Sequence, residues 1–155
     1  MITLLAVQSA DGFIASIDGN GSLRSRRDRA ELHNFLRSPA IDGFIVGRRT
    51  FEEFGKFFNY KPCYLFTREY THDWDKLARE KNLALLGGAE TYRYFLMHDL
   101  VDEARITTNR RFNFGRGLPL GFEEFTPRFA KISTVPLLPT VETTIYKKSD
   151  NRERA

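Results

Sequence analysis

Short apolar runs alternate with helical patterns through the first two thirds of this 155-residue chain, and that alternation constrains the fold more than any other feature. The runs occupy residues 2–7, 43–46, 64–66 and 83–86. Each is strand-length and nearly continuous, as a central strand covered on both faces must be. Between them, "RDRAELHNFLR" places Ala30, Leu32, Phe35 and Leu36 near one helical face and is stopped by Pro39. "THDWDKLAREKN" offers Thr71 or Asp73 as a cap and groups Trp74, Leu77 and Ala78, while "AETYRYFLMHDL" aligns Ala89, Tyr92, Phe95 and Leu96. This order predicts an α/β sheet with right-handed crossovers. The pattern then changes. "ARITTN", "RFAKIST" and "VETTIYKK" read as antiparallel strands joined by loops holding Gly115, Gly117, Pro136 and Pro139. A mixed sheet follows, mainly parallel, with antiparallel C-terminal strands.

No internal repeat or low-complexity linker divides the chain, so one domain is expected over residues 1–147, with the mixed-sign "KSDNRERA" at 148–155 as a flexible tail. The 14 phenylalanines imply an aromatic-rich core or pocket. Cys63 is the sole cysteine, which excludes an intrachain disulfide and any multi-cysteine metal site. No His/Asp/Glu group has metal-ligand spacing, and His33 and His72 read as surface residues, so no metal is expected. The opening "MITLLAVQ" carries no basic leader and is too short to span a membrane, giving the expectation of a cytoplasmic protein with no membrane partner. The net charge of +4 gathers in Arg24, Arg26, Arg27 and Arg29, in Arg48 and Arg49, and in Arg110 and Arg111. Dispersed clusters of this kind suit several phosphates on a small ligand better than a nucleic acid, which needs one continuous basic face.

Three strand ends carry residues suited to anions. Gly87 and Gly88, in "LLGGAETY", fall after a strand and before a helix, where backbone N–H groups are free to meet a pyrophosphate. In "GFIVGRRTFEEF", Gly47 leads into Arg48, Arg49 and Thr50 at a helix start, and "YLFTRE" repeats the chemistry with Thr67 and Arg68. Each stretch also has a plain reading, a tight turn or a capped helix with solvated arginines. Together they suggest a dinucleotide, although the G-x-G-x-x-G fingerprint is absent.

"MITLLAVQSADGFIAS", "DGFIVGRRTFE", "LLGGAETYRYFL", "LVDEARIT" and "GRGLPL" resemble, in this order, the dihydrofolate reductase superfamily. They look most like its branch containing the C-terminal reductase domain of bacterial riboflavin biosynthesis proteins, over Met1 to about Phe122. The resemblance implies a dihydrofolate reductase-like α/β fold, an eight-stranded mixed sheet flanked by helices. It implies NADPH as cofactor and hydride transfer to a small molecule. On the matching positions, Ala6 and Val7 would hold the nicotinamide carboxamide, and Ile14 and Ala15 would border the ring. Arg48, Thr50, Thr67 and Arg68 would take the adenosine-side phosphates, with Gly47 and Arg49 also in the cofactor site, and Gly87, Gly88, Ala89, Glu90 and Thr91 would meet the pyrophosphate. It further implies a cis peptide between Gly87 and Gly88. Riboflavin-type relatives are often homodimers, whereas dihydrofolate reductases are mostly monomers.

Two carboxylates compete for the substrate. Glu31 stands four residues before Phe35, the spacing at which dihydrofolate reductases place the acid and the phenylalanine that grip the pterin. That spacing puts Glu31 and Phe35 on one helical face and predicts an inward, desolvated Glu31. The riboflavin-type segment instead aligns with Asp28 leading. Phe13 and Leu86 stand where riboflavin-type relatives commonly carry lysine and glutamate. The resemblance therefore implies an NADPH-dependent oxidoreductase acting on a pterin-like or aminopyrimidine molecule, with 5-amino-6-(5-phosphoribosylamino)uracil reductase the nearest named activity. Dihydrofolate reductase and a non-catalytic nucleotide-binding domain stand as alternatives.

Overall fold

The computed structural model describes residues 1–16, 26–69 and 71–149. Arg24 and the tail beyond Ser149 lie outside them. A seven-stranded sheet has the order β4-β3-β5-β1-β6-β9-β8. Its strands are β1 (Ile2–Ser9), β3 (Gly43–Gly47), β4 (Cys63–Phe66), β5 (Leu83–Gly87), β6 (Glu103–Asn109), β8 (Phe129–Leu138) and β9 (Val141–Lys148). A separate two-stranded ribbon pairs β2 (Phe13–Ser16) with β7 (Gly117–Pro119). The helices are α1 (Arg26–Arg37), α2 (Arg48–Phe54), α3 (Trp74–Glu80) and α4 (Ala89–Met97). The main sheet thus has seven strands rather than the eight implied by resemblance, and the first apolar run extends to Ser9.

Continuous apolar strands follow from coverage on both faces. Leu4 and Leu5 point to opposite sides of β1, and both are buried. On one side Leu4 joins Ile2, Leu83, Leu85 and Phe95 beneath Trp74 of α3 and Tyr92 of α4. On the other, Leu5 packs with Phe44 and Ala84 beneath Leu36 of α1. Burial of each such side chain stabilises the fold by about 1.5–3 kcal/mol, which is how an apolar run becomes a central strand. Asp73 caps α3, its carboxylate accepting from Lys76 N–H at 3.1 Å, and so settles the choice between Thr71 and Asp73.

Four expectations change. "ARITTN" is not purely antiparallel: β6 runs parallel to β1, with Leu5 opposite Arg105, and antiparallel to β9. It is therefore the strand at which the sheet changes direction. On α1, Ala30 is exposed and Asp28 is buried, because the inner face includes residue 28 rather than residue 30. Neither His33 nor His72 is fully exposed: His33 stacks on Phe58 with centroids 5.6 Å apart, and His72 meets the Trp74 ring edge-on at 5.0 Å. Lys148 ends β9 instead of opening a tail, its Nζ donating to Asp99 O at 2.7 Å.

Candidate functional site

The three anion-suited junctions come together because β4, β3 and β5 are neighbours in the sheet. Their carboxyl ends lie side by side, leading into Thr67–Arg68, into Arg48, Arg49 and Thr50 of α2, and into Gly88–Thr91 at α4. The approach between the last two is close. A Cβ on Gly47 would sit 2.7 Å from Thr91 Oγ1 and 3.4 Å from Gly87 O, so only glycine fits there. Gly87 has φ +125°, a region open to glycine. The Gly87–Gly88 peptide is cis. Beneath it, the Tyr92 hydroxyl donates into the space between Leu5 O (2.6 Å) and Leu86 O (2.9 Å), joining α4 to β1 and β5.

This corner suits a pyrophosphate. Among the described residues no side chain caps α4 at Gly88, and a Cβ built there would meet only Thr50 Oγ1, at 3.5 Å. Gly88 is the N-cap of α4, so free backbone N–H groups of that helix begin beside it. Arg48 pairs with Glu69 at 3.3 Å, Arg68 with Glu90 at 2.7 Å and Arg49 with Glu53 at 3.6 Å. All six side chains are largely exposed, and surface pairs of this kind hold little free energy, so the guanidinium groups can exchange a carboxylate for a phosphate. Glu90 brings only its backbone N–H to such a role, since its carboxylate would repel a phosphate.

Across β1 a cavity of about 390 Å³ opens between α1 and the sheet. Asp28, Glu31, Leu32 and Phe35 line it from α1 at positions i, i+3, i+4 and i+7, one face of a helix. Leu5 and Ala6 of β1, Arg105 and Thr107 of β6 and Thr143 of β9 line it from the sheet. The two expected carboxylates differ in setting. Asp28 is 3% exposed, whereas Glu31 is exposed at the rim. The inward acid is therefore Asp28, because the helix is rotated so that its buried stripe begins one turn earlier than the Glu31–Phe35 spacing predicts. Phe35 is half-buried in the cavity wall.

Ala6 belongs to both regions: it lines the cavity and lies on the strand next to β5. Val7 follows it, partly exposed. Ile14 of β2 packs against the larger core, and Ala15 pairs with Leu118 of β7. The Asp11 carboxylate fixes the loop that precedes this ribbon, accepting from Phe114 N (3.2 Å) and Gly115 N (2.7 Å) as well as from Ser9 Oγ. These contacts hold its carboxyl below the usual aspartate value, the Ser9 hydroxyl first among them.

Arg105, Thr107, Thr143 and Asp11 escape the sequence reading. One signal was present: in "ARITTN", Arg105 and Thr107 alternate with apolar residues, which gives that strand one polar face. Among the described residues no group of three or more His, Cys, Asp or Glu could hold a metal ion. None of their helices is long and apolar enough to cross a membrane.

No protein-family model and no curated protein matches the sequence. Solved structures are similar in shape. A protein assigned to riboflavin biosynthesis from Shewanella sp. PV-4 superposes with a TM-score of 0.76 at 22% identity, over 96% of this chain and 99% of that one. A diaminohydroxyphosphoribosylaminopyrimidine deaminase/5-amino-6-(5-phosphoribosylamino)uracil reductase from Thermotoga maritima gives 0.73 at 14% identity. The match covers 96% of this chain and 56% of that longer protein. With its mainly parallel sheet, its antiparallel β8–β9 end and these likenesses, the chain shares the fold of these two proteins.

Proposed function

We propose that this chain is an NADPH-dependent reductase acting on a pterin-like or aminopyrimidine small molecule. The nearest named activity is 5-amino-6-(5-phosphoribosylamino)uracil reductase, the reductase half of the Thermotoga maritima protein's description. The observation that carries the reading is a buried carboxylate, Asp28, in a cavity whose wall includes Ala6 of β1, beside the glycine corner at β5. When bound, the nicotinamide supplies the hydride. Arg48, Thr50, Thr67 and Arg68 would take the adenosine-side phosphates, and the backbone of Gly87 to Thr91 the pyrophosphate. The Ala6 and Val7 backbone would hold the carboxamide.

Asp28 then performs the chain's own part of the chemistry. As a carboxylate it accepts hydrogen bonds from the N–H edge of a heterocycle, and so orients the ring with its reducible carbon toward β1. As an acid it sits where a proton can be delivered while hydride arrives. Phe35, whose ring carries the Arg105 guanidinium 4.3 Å from its centroid, gives the cavity an apolar wall. Glu31, at the rim, meets the outer part of a substrate.

Two measurements test this. Calorimetry with NADPH should give a saturable isotherm. A steady-state assay following NADPH oxidation, with dihydrofolate in one arm and the aminopyrimidine substrate of the riboflavin reductase in the other, should show turnover in at least one. Absence of NADPH binding would remove the cofactor assignment. Tight NADPH binding with no turnover in either arm would favour a non-catalytic nucleotide-binding domain.

A further inference from the structure

The cavity under α1 is longer than a single ring system needs. Its sheet wall crosses four adjacent strands, β1, β6, β9 and β8. Leu5 is opposite Arg105 and Arg105 opposite Ile145; in the next row of that face Thr107 is opposite Thr143 and Thr143 opposite Val135. Three inter-strand steps of about 4.8 Å give this wall a span of about 14 Å. A ring held by Asp28, with its reducible carbon toward β1, fills the β1–β6 end of that span. The β9–β8 end is left for whatever the ring carries.

The two ends differ in chemistry. From α1 the lining carries two carboxylates, Asp28 and Glu31, and from β6 one guanidinium, that of Arg105, which already lies 3.5 Å from Glu103 Oε1. At the far end Thr143, Ile145, Val135 and Leu137 bring one hydroxyl, three aliphatic side chains and no charge. Val135 is 43% exposed, so this end is open to a ligand. The single charged residue of β8, Lys131, is opposite Tyr146, whose ring packs on Phe122 on the other face of the sheet. Lys147, one step beyond Ile145 on the cavity face of β9, is opposite Glu103 and lies outside the lining.

Resting on the proposed reductase reading, we infer that the β9–β8 end is a subsite for the substrate's substituent, and that it takes an uncharged, largely apolar arm rather than a phosphorylated one. A phosphate there would enter a lining with two carboxylates against one guanidinium that is already paired, and no second cation would replace the water it gives up. An alkyl arm instead covers Val135, Leu137 and Ile145, and gains roughly three- to fourfold in affinity per fully buried methylene. The reaction is unchanged. The phosphoribosyl arm of the nearest named activity is what this end of the cavity selects against.

The test uses the intact protein saturated with NADP⁺, so that no hydride is transferred, and calorimetry with matched probes on both ring types. The pairs are 6-hydroxymethylpterin with its phosphate ester, and 5-amino-6-ribosylaminouracil with its 5′-phosphate. Within each pair only the phosphate differs. On the ring that binds, wild type should prefer the unphosphorylated member by roughly tenfold or more. A propyl arm in place of a methyl arm on that ring should tighten binding by roughly fivefold. Val135→Lys places an ammonium at this end; it should strengthen the phosphorylated member by roughly tenfold, the scale of one charge-assisted hydrogen bond, and abolish the preference. Its thermal melt and NADP⁺ affinity should match wild type, and the wild-type comparisons decide by themselves if the variant fails to fold. Equal or tighter binding of the phosphorylated member by wild type, no gain from the propyl arm, or an unchanged preference in folded Val135→Lys overturns the inference. Failure of wild type to bind NADP⁺, or any of the probes, overturns the reductase reading instead, so the two failures are distinguishable.

Discussion

At the scale of single residues, burial separates two carboxylates that sequence spacing leaves in competition. Asp28 is 3% exposed and Glu31 lies open at the rim, although both line the same cavity. Asp28→Asn should therefore lower turnover by about 10²-fold or more, the usual scale for removing a group that positions and delivers protons. Glu31→Gln should stay within a few-fold of wild type, and NADPH affinity should be unchanged in both. The ratio of the two kcat values checks the assignment: equal losses would mean that the pair acts together. Gly47 makes a second residue-level case. Its φ of −72° suits any residue, so alanine there fails on space alone, with Thr91 Oγ1 at 2.7 Å from the added carbon. Gly47→Ala should destabilise by about 1–3 kcal/mol, as overpacking does, and Thr91→Ala in the same chain should recover much of it. Chemical denaturation of the four members of that cycle measures the coupling.

At the scale of elements, α1 shows how a pattern can predict a helix and still misplace its face. The stripe of Leu32, Phe35 and Leu36 was legible, but a polar residue completes it: Asp28 takes the inward position assigned to Ala30. Hydrophobic periodicity cannot register a buried acid, because burial of a carboxylate is decided by what the facing strand offers it. The ribbon of β2 and β7 depends on another acid. Asp11 accepts from Ser9 Oγ and from the N–H groups of Phe114 and Gly115, so its folded-state pKa lies below the ordinary 3.8. A depressed carboxyl contributes stability that is fully present above its unfolded-state value and is lost as pH falls through the lowered folded one. Wild type should accordingly lose melting temperature on acidification from about pH 5 to about pH 2, and Asp11→Asn should flatten that limb while lowering stability at neutral pH. Melting curves across that range, wild type against variant, check it. An acid limb of identical shape would detach Asp11 from the loop.

For the whole molecule, strand order converts scattered motifs into a site. Because β4, β3, β5 and β1 are consecutive neighbours, Arg68, Arg48, Gly87 and Ala6 follow one another along one edge of the sheet, the order in which the proposed dinucleotide would meet them. Two arginines at its far end should favour the additional phosphate of NADPH, giving an affinity roughly ten- to a hundredfold above NADH, with the difference shrinking as salt is raised. Calorimetry with both cofactors at two ionic strengths checks it, and equal affinities would reassign Arg48 and Arg68 to their surface partners Glu69 and Glu90. The amino-acid sequence by itself determined the parallel strands, the helices between them and the glycine junction. These are local consequences of apolar runs, periodicity and backbone freedom, each readable within a dozen residues. Tertiary structure decided which carboxylate turns inward, that β6 is parallel to β1, and that Arg105 shares a cavity with Asp28. Those facts rest on contacts between residues up to a hundred positions apart, such as Leu5 opposite Arg105, and no local pattern carries the rotation of a helix over a sheet.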